Sequence, residues 1–560
     1  MNRNRWNLLP KAPFQYLSNV SGLPPLITQL LYNRGLSELS QLKSFLAGDR
    51  SLLANPFLLP DMPRAVSRVY QALLSGENIV IYGDFDADGI TATALLVQGL
   101  TALGGKATPY IPHRVTEGHG LRKEALRKLR QEGASLIITV DCGTTSLPEA
   151  REAQKIGLDV IITDHHTPMS DIPPACVVVN PRLPGSVYPF TELSGVGVAL
   201  KLLQALLESL GKSDYIGKLI DLAALGTVAD QSPVLGENRY LVKEGLKLIN
   251  ENPRLGIKAI ITQARLNTPV IDADHIAWIF APYLNATGRM EHAISSYKLL
   301  MTESPQEASL LATKLEQKNE ERKKLTTTML AKAREQVLAQ GISPLLVASS
   351  PEYAIGVAGL VASKLTEEFY RPSIVIELGE KTSSGSCRSI PEFNIIAALS
   401  QCTDLLTQFG GHSQAAGFTL PTKNLPRLQK ILTEWATSQL VGIDLRPQID
   451  IDTEVNLPEL GGDTFQTTQQ LAPFGPGNPA PTFLSRRVEV ISCRTMGNDN
   501  EHLRLKLRQW DSVWDAVAFG LGNFCGEVTS LLDIVYNLEV DRWGGKELLR
   551  LNILDFAPVR

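Results

Sequence analysis

The chain has 560 residues, 44% hydrophobic and 20% charged, enough for several packed cores and, at about 150 residues per domain, roughly three to four domains. A net charge of −4 excludes a globally basic nucleic-acid binder, so any such surface must be local. No apolar run nears the ~20 residues of a membrane span, no signal-type apolar core follows the basic start Met1-Asn2-Arg3-Asn4-Arg5-Trp6, and the six cysteines form no Cys-x-x-Cys pair; a cytoplasmic protein without membrane contact, zinc knuckle or disulfide framework is expected.

Residues 1–75 read as a Pro-punctuated helical lead-in, helical from about residue 20. From about 76 to 230 strands and helices alternate, the pattern of a doubly wound parallel sheet. Three apolar runs read as buried parallel strands: Ile79-Val80-Ile81-Tyr82, Leu136-Ile137-Ile138-Thr139-Val140 and Val160-Ile161-Ile162-Thr163. Helices are expected over Thr91–Val97 and Leu147–Ile156. Each strand leads directly into metal-donor residues: Gly83-Asp84-Phe85-Asp86-Ala87-Asp88-Gly89, Asp141-Cys142-Gly143 and Asp164-His165-His166. Asp86 and Asp88, two apart, can point the same way from an extended loop, and Gly89 permits a tight turn. Singly, such residues are ordinary turn formers. In open α/β sheets, however, reactive groups gather beyond the carboxyl ends of the strands, so neighbouring strands would bring all three sets into one crevice. That donor set suits a pair of divalent cations, Mg²⁺ or Mn²⁺, and points to a two-metal phosphoester hydrolase. Asp230, closing the apolar stretch from Asp221, reads locally as a helix C-terminus or turn residue.

The stretch from Ser194 to about 300 is more helical, and Leu284-Asn285-Ala286-Thr287-Gly288-Arg289 reads as a helix end with a Gly stop or as a functional patch. Gln306 to Gln340 is charged and Pro-free, one long helix connecting two lobes. A second α/β unit starts near Pro344, with strands at Leu345–Ala348 and Ser373–Ile376 around a helix from Gly356 to Phe369. Ser383-Ser384-Gly385-Ser386-Cys387-Arg388 offers hydroxyls, amides and a guanidinium, either a phosphate cradle or a plain polar loop. Gly410-Gly411-His412-Ser413-Gln414-Ala415-Ala416-Gly417 suggests a packed turn or close backbone approach to a ligand. No Gly-x-Gly-x-x-Gly follows a strand, so a dinucleotide-binding fold has little support. Beyond Asp444 the chain turns β-rich. Along Leu503–Arg508 the cations Arg504, Lys506 and Arg508 share one face. With Arg486, Arg487, Arg494, Trp510, Trp514 and Phe519 nearby, this is either a solvated strand face or a small barrel that grips single strands.

These motifs resemble the DHH phosphoesterase family, named for the Asp-His-His found here at 164–166, and within it the bacterial single-strand-specific 5′→3′ DNA exonucleases. The closer likeness rests on Tyr82 to Thr91, Val140-Asp141-Cys142-Gly143, Val228-Ala229-Asp230, Asn285 to Arg289, Gly410 to Phe418, and Pro473-Phe474-Gly475-Pro476-Gly477-Asn478-Pro479-Ala480-Pro481. The resemblance implies an α/β fold of two lobes and a C-terminal β-barrel: a DHH catalytic domain at 76–302, a connector helix at 303–342, a DHH-associated domain at 343–440 and an OB-fold at 441–560. It implies Asp86, Asp88, Asp141, His165 and Asp230 as ligands of two divalent ions, Mn²⁺ or Mg²⁺, with Asp141 bridging. His166 would lie against the metals or the scissile phosphate, with Asp84 and Asp164 supporting the centre. Arg289, Ser386 and Arg388 would hold a 5′-terminal phosphate, and Arg114 and His412 would contact substrate. His119 stands where the family more often has an aromatic residue. The implied activity is 5′→3′ release of mononucleotides from single-stranded DNA in repair and recombination, by a monomer working with a single-strand-binding protein and a helicase. A DHH enzyme for small substrates and a non-catalytic DNA-binding scaffold are the alternatives.

Overall fold

Five short segments, mostly apolar except for the partly exposed edge strand Lys106–Tyr110, assemble the sheet that carries the Asp and His motifs. They are β1 (Asn78–Tyr82), β2 (Lys106–Tyr110), β3 (Leu136–Val140), β4 (Asp159–Thr163) and β5 (Val177–Val179), in the order β2-β1-β3-β4-β5, every pairing parallel. β3 is buried along its whole length, as expected of a central strand covered on both faces. Helix α1 (Ala87–Ala102), buried on nearly every side, packs between the sheet and two further helices, α2 (Gly195–Ser209) and α3 (Ile220–Ala229).

The computed structural model describes residues 4–19, 22–169, 171–497, 499–541 and 548–559. It divides into two units, one of 1–110, 120–281 and 448–560, the other of 111–119 and 282–447. In the first unit the lead-in does not stand alone. Ile27, Leu30, Leu31, Leu42 and Phe45 share a core with barrel residues such as Phe483, Leu505 and Tyr536. Ahead of its helices a strand, Arg5–Leu8, pairs in parallel with Gln448–Ile451, a pairing that helical periodicity could not reveal.

In the second unit, α4 (Ala281–Met290, mostly in this unit) precedes α5 (Pro305–Gln340), capped by Ser304 and terminated at Gly341. At 1.5 Å per residue α5 is about 54 Å long. Its buried Met329, Ala333 and Val337 pack on β6 (Leu346–Ser350) and α6 (Ile355–Phe369), so α5 belongs to this unit throughout. β6, β7 (Ser373–Glu377), β8 (Thr382–Arg388), β9 (Gln408–Gly411) and β10 (Ala415–Pro421) form a mixed sheet in the order β9-β10-β8-β7-β6. Two local expectations are corrected. Residues 383–388 are strand, not loop: Ser383, Gly385 and Cys387 are the buried positions, and Thr382, Ser384, Ser386 and Arg388 alternate on the other face. Residues 285–289 lie inside α4; Gly288 does not stop it, and the helix runs on to Met290.

The C-terminal domain contains β11 (Thr453–Glu454), β12 (Phe483–Met496), β13 (His502–Gln509), β14 (Ser512–Ala518), β15 (Leu531–Asp541) and β16 (Leu548–Pro558). β12 pairs with both β13 and β15, closing a five-stranded barrel of β12-β13-β14-β16-β15. Closure removes the open edges that strands otherwise expose. Among the described residues no helix is long and apolar enough to cross a membrane.

Candidate active site

The parallel sheet fixes where the carboxylates go. β1, β3 and β4 are neighbours in register, with Tyr82 beside Thr139 and Val140 beside Thr163, so residues 84–88, 141 and 164–166 emerge at one edge. Asp86 and Asp88 do not share an extended loop. Asp86 is the N-cap of α1, its Oδ1 accepting from the amides of Asp88 and Gly89 at 3.1 Å each, and Asp88 lies in the first helical turn. A Cβ at Gly89 would stand 2.6 Å from the Asp84 amide nitrogen, so the turn closes only with glycine. Asp141 adopts left-handed backbone (φ 61°), a strained state that costs a non-glycine residue on the order of 1 kcal/mol and collects at functional sites.

Three overlapping donor groups result, each with ligand atoms within 4.8 Å of one another: Asp84, Asp86 and Asp141; Asp88, His165 and Asp230; and Asp141, His165 and His166. Asp230 arrives from the far side as the C-cap of α3, which is why its local sequence did not single it out. Every residue expected at the metal centre is in one of these groups, except Asp164.

Asp164 serves the others. Its Oδ1 accepts from the His165 and His166 amides (2.7 and 3.1 Å) and lies 2.7 Å from His166 Nδ1, while Oδ2 accepts from the Thr144 amide at 2.8 Å. Burial alone would raise this carboxyl, but the His166 imidazole and these hydrogen bonds outweigh it and hold the group well below the usual carboxylate range.

Asp88 and Asp141 move the other way. Burial, compounded for Asp88 by Asp230 and Asp86 and for Asp141 by Asp88, Asp86 and Asp84, pushes both well above ordinary carboxylates. Burial lowers His165 despite the pull of Asp230, which favours the neutral imidazole. Asp141 Oδ1 and His165 Nε2 face each other at 3.1 Å, both buried and neither hydrogen-bonded. Two buried lone-pair donors beside several like-charged carboxylates fit divalent cations, whose charge offsets the repulsion.

Several supporting residues had no signature. Both Asp88 oxygens accept amides from the N-terminus of α2, Gly195 at 2.7 Å and Val196 at 2.8 Å. A Cβ at Gly195 would sit 2.5 Å from Asp141 Cβ, and one at Gly226 2.7 Å from Asp88 Oδ1. Asn180, fully buried after β5, donates to the His166 carbonyl and the Thr144 hydroxyl, both at 2.9 Å. A signal existed for Asn180: Val177-Val178-Val179-Asn180 repeats the pattern of an apolar strand entering a polar residue.

Within the second unit, Arg289 on α4 donates to the Gly356 carbonyl at 3.3 Å. Arg388 on β8 donates to the Ser386 hydroxyl at 3.4 Å and the Cys387 carbonyl at 2.8 Å. Burial lowers Arg388, and the charge of Arg114 lowers it further, so two guanidiniums repel one another here. The first turns of α6 lie against them. A Cβ at Gly359 would fall 2.9 Å from Arg388 Nη2 and 3.0 Å from Ser386 Oγ, and one at Gly356 2.4 Å from the Arg289 carbonyl. Gathered cations, a hydroxyl and the positive end of a helix suit an anion. His412 is exposed in the β9–β10 turn, three residues before Ala415, the partner of Arg388 in the sheet.

On the barrel, Arg504, Lys506 and Arg508 project outward from β13. Arg508 is tied bidentately to Glu489 at 2.6 and 2.9 Å; Lys506 stands opposite Asp515, and Arg504 opposite Arg494. Trp510 and Phe519 are exposed, whereas the Trp514 indole donates to Ser512.

Comparison with known proteins places this geometry in a family. Residues 78–227 match the DHH family N-terminal domain, 343–438 the DHHA1 domain and 451–555 the RecJ OB domain. The chain is 37% identical over 540 residues to the single-stranded-DNA-specific exonuclease RecJ of Bacillus subtilis, covering 96% of this chain and 68% of that protein. It superposes on crystal structures of Thermus thermophilus RecJ with Mn²⁺ (TM-score 0.86, 31% identity, 100% of this chain and 80% of that one) and with Mg²⁺ (0.80, 29%, 100% and 79%). The chain therefore belongs to the RecJ family, the single-stranded-DNA-specific exonucleases among the DHH proteins, and is a metal-dependent exodeoxyribonuclease.

Proposed function

We propose that the chain hydrolyses single-stranded DNA from the 5′ end, one nucleotide at a time, at a two-cation centre held by Asp84, Asp86, Asp88, Asp141, His165 and Asp230. The observation that carries this reading is the pair Asp141 Oδ1 and His165 Nε2, 3.1 Å apart, buried and without hydrogen bonds, amid overlapping donor groups. Cations bound there supply Lewis acidity, making an attacking water more acidic and offsetting charge on the phosphate oxygens.

The protein's own contribution is positioning. Asp164 accepts the hydrogen bond of His166 Nδ1–H and so fixes the tautomer and ring plane, which directs His166 Nε2 toward the scissile phosphate. Asp88 is held by two helix amides and Asp86 by its own cap.

Arg289, Ser386 and Arg388, with Arg114, bind the terminal 5′-phosphate. Water attacks the next phosphorus, the bond to the 3′ oxygen of the terminal nucleotide breaks, and that oxygen takes a proton. A 5′-mononucleotide leaves. The phosphate stays on the shortened strand as a new 5′-phosphate, so each turnover regenerates the end that the pocket recognises. Arg504 and Lys506, with exposed Trp510 and Phe519, grip the strand without sequence preference. By family likeness the enzyme acts in repair and recombination, as a monomer alongside a helicase and a single-strand-binding protein.

The test uses a long single-stranded DNA labelled at either end, in Mn²⁺, Mg²⁺ or EDTA. Immediate release of labelled mononucleotide from the 5′ end in either metal, and none in EDTA, supports the proposal. Release first from the 3′ label overturns the direction.

A further inference from the structure

Loop 473–479 of the barrel domain, within a stretch that carried the family likeness, meets the catalytic domain at Val234 and Leu235, just beyond Asp230. Asp230 is awkwardly placed for a carboxylate, because a helix C-terminus carries partial negative charge. Two features hold it there. The buried Ser232 hydroxyl donates to Asp230 Oδ2 at 2.5 Å, and Gln231 turns the chain in left-handed backbone (φ 61°). Two residues later the Val234 amide donates to the Pro476 carbonyl at 2.7 Å, a main-chain bond from the catalytic domain to the barrel loop.

The fit at that bond leaves no room. A Cβ at Gly475 would stand 2.6 Å from Val234 Cγ2, and one at Gly477, itself left-handed (φ 74°), 3.0 Å from Leu235 Cδ1. The loop is fixed from behind. Arg239, fully buried, donates to the carbonyls of Leu471 and Ala472 at 2.8 Å each. Asn478 closes the loop on Leu471 and Pro473 at 2.8 Å each and accepts from Arg34 at 2.6 Å.

We propose that loop 473–479 of the barrel domain is a positioning element of the metal centre, holding the 230–234 turn so that the Asp230 carboxylate stays with Asp88 and His165. The inference deepens the proposed function and rests on Asp230 as a metal ligand. A ligand carboxylate depends on the groups that orient it, and loss of such support typically costs tenfold or more in metal affinity, about 10–100-fold. The barrel is then more than a handle for DNA, since its loop completes the scaffold of the crevice.

The experiment uses the full chain in two measurements: Mn²⁺ titration followed by electron paramagnetic resonance, and hydrogen exchange of the metal-free protein over residues 228–240. Gly475→Val, with Gly475→Ala as the milder variant if near-ultraviolet circular dichroism shows misfolding, should weaken Mn²⁺ binding about tenfold and speed exchange of the Val234 amide. Ser232→Ala should weaken Mn²⁺ similarly. Gly526→Ala, whose Cβ meets open space on the barrel, should change neither, and single-strand binding in EDTA should stay within twofold in every variant.

Wild-type Mn²⁺ affinity in the folded Gly475 variants, or unchanged Val234 exchange, overturns the proposal. Undiminished Mn²⁺ binding by Asp230→Ala overturns it through the ligand assignment. A wild-type chain that binds Mn²⁺ and does not digest single strands would instead overturn the functional reading and leave the loop's role standing.

Discussion

Asp164 Oδ1 lies 2.7 Å from His166 Nδ1, and the same oxygen accepts both histidine amides. One carboxylate therefore sets the backbone of the Asp-His-His segment and the orientation of its last ring. Asp164→Asn keeps the shape and loses the charge. Its amide can present the wrong group to Nδ1, so kcat should fall at least tenfold, on the order expected for an outer partner, with KM for single strands little changed. Steady-state kinetics on a labelled oligonucleotide checks the split.

Asn180 supports the same segment from β5, through the His166 carbonyl and the Thr144 hydroxyl. Asn180→Ala should leave two buried acceptors short of a donor and lower stability by about 1–3 kcal/mol. The accompanying loss in kcat should again exceed the change in KM. Urea denaturation and kinetics on one preparation measure both.

The phosphate pocket makes a sharper prediction. Arg388→Ala removes a charge-assisted contact of about 1.5–3 kcal/mol, so the preference for 5′-phosphorylated over 5′-hydroxyl ends should shrink about tenfold or more. Gly359→Val should do likewise by pushing Arg388 Nη2 and Ser386 Oγ aside. Competition between the two ends at equal length gives the ratio, and an unchanged ratio places the pocket elsewhere.

Stability of the metal-free enzyme should depend on pH in a defined direction. Asp88 and Asp141 are raised by burial and neighbouring carboxylates. The folded state therefore binds their protons more tightly than the unfolded chain. Their favourable contribution is full below about pH 3.9, the unfolded carboxylate value, and is lost as pH rises toward the folded values. Asp141→Asn should abolish cleavage, yet in EDTA its melting temperature should exceed that of the wild type by a margin that grows with pH. Calorimetry from pH 5 to 8 would show the trend, and a margin that shrinks with pH contradicts it.

On the barrel, Arg504→Ala and Lys506→Ala should each reduce the salt dependence of single-strand binding by about 0.7 in log–log slope, the value for one phosphate contact. Arg508→Ala should do less, because Glu489 already occupies its guanidinium on two sides. Binding titrations across salt concentrations in EDTA separate the three.

The crevice was legible because three apolar runs each ended in donor residues, and a parallel sheet has one way to bring such ends together. The cap formed by Asp86 and the role of Asp164 as a support are local geometry that residue type alone left open. Asp230 was legible only through likeness to the family, since a carboxylate closing an apolar helix looks like an ordinary terminus. The strand at 382–388 was hidden by its Ser and Gly content, which reads as loop until the buried row of Ser383, Gly385 and Cys387 is seen. Gly195, Gly226 and Gly359 escaped notice because their function is the side chain they lack.

The most direct test is diffraction at the manganese absorption edge from crystals of the full chain grown with Mn²⁺. Two anomalous peaks should appear in the crevice, one among Asp88, His165 and Asp230 and one among Asp84, Asp86 and Asp141. A single peak, or peaks away from these residues, would contradict a two-cation centre.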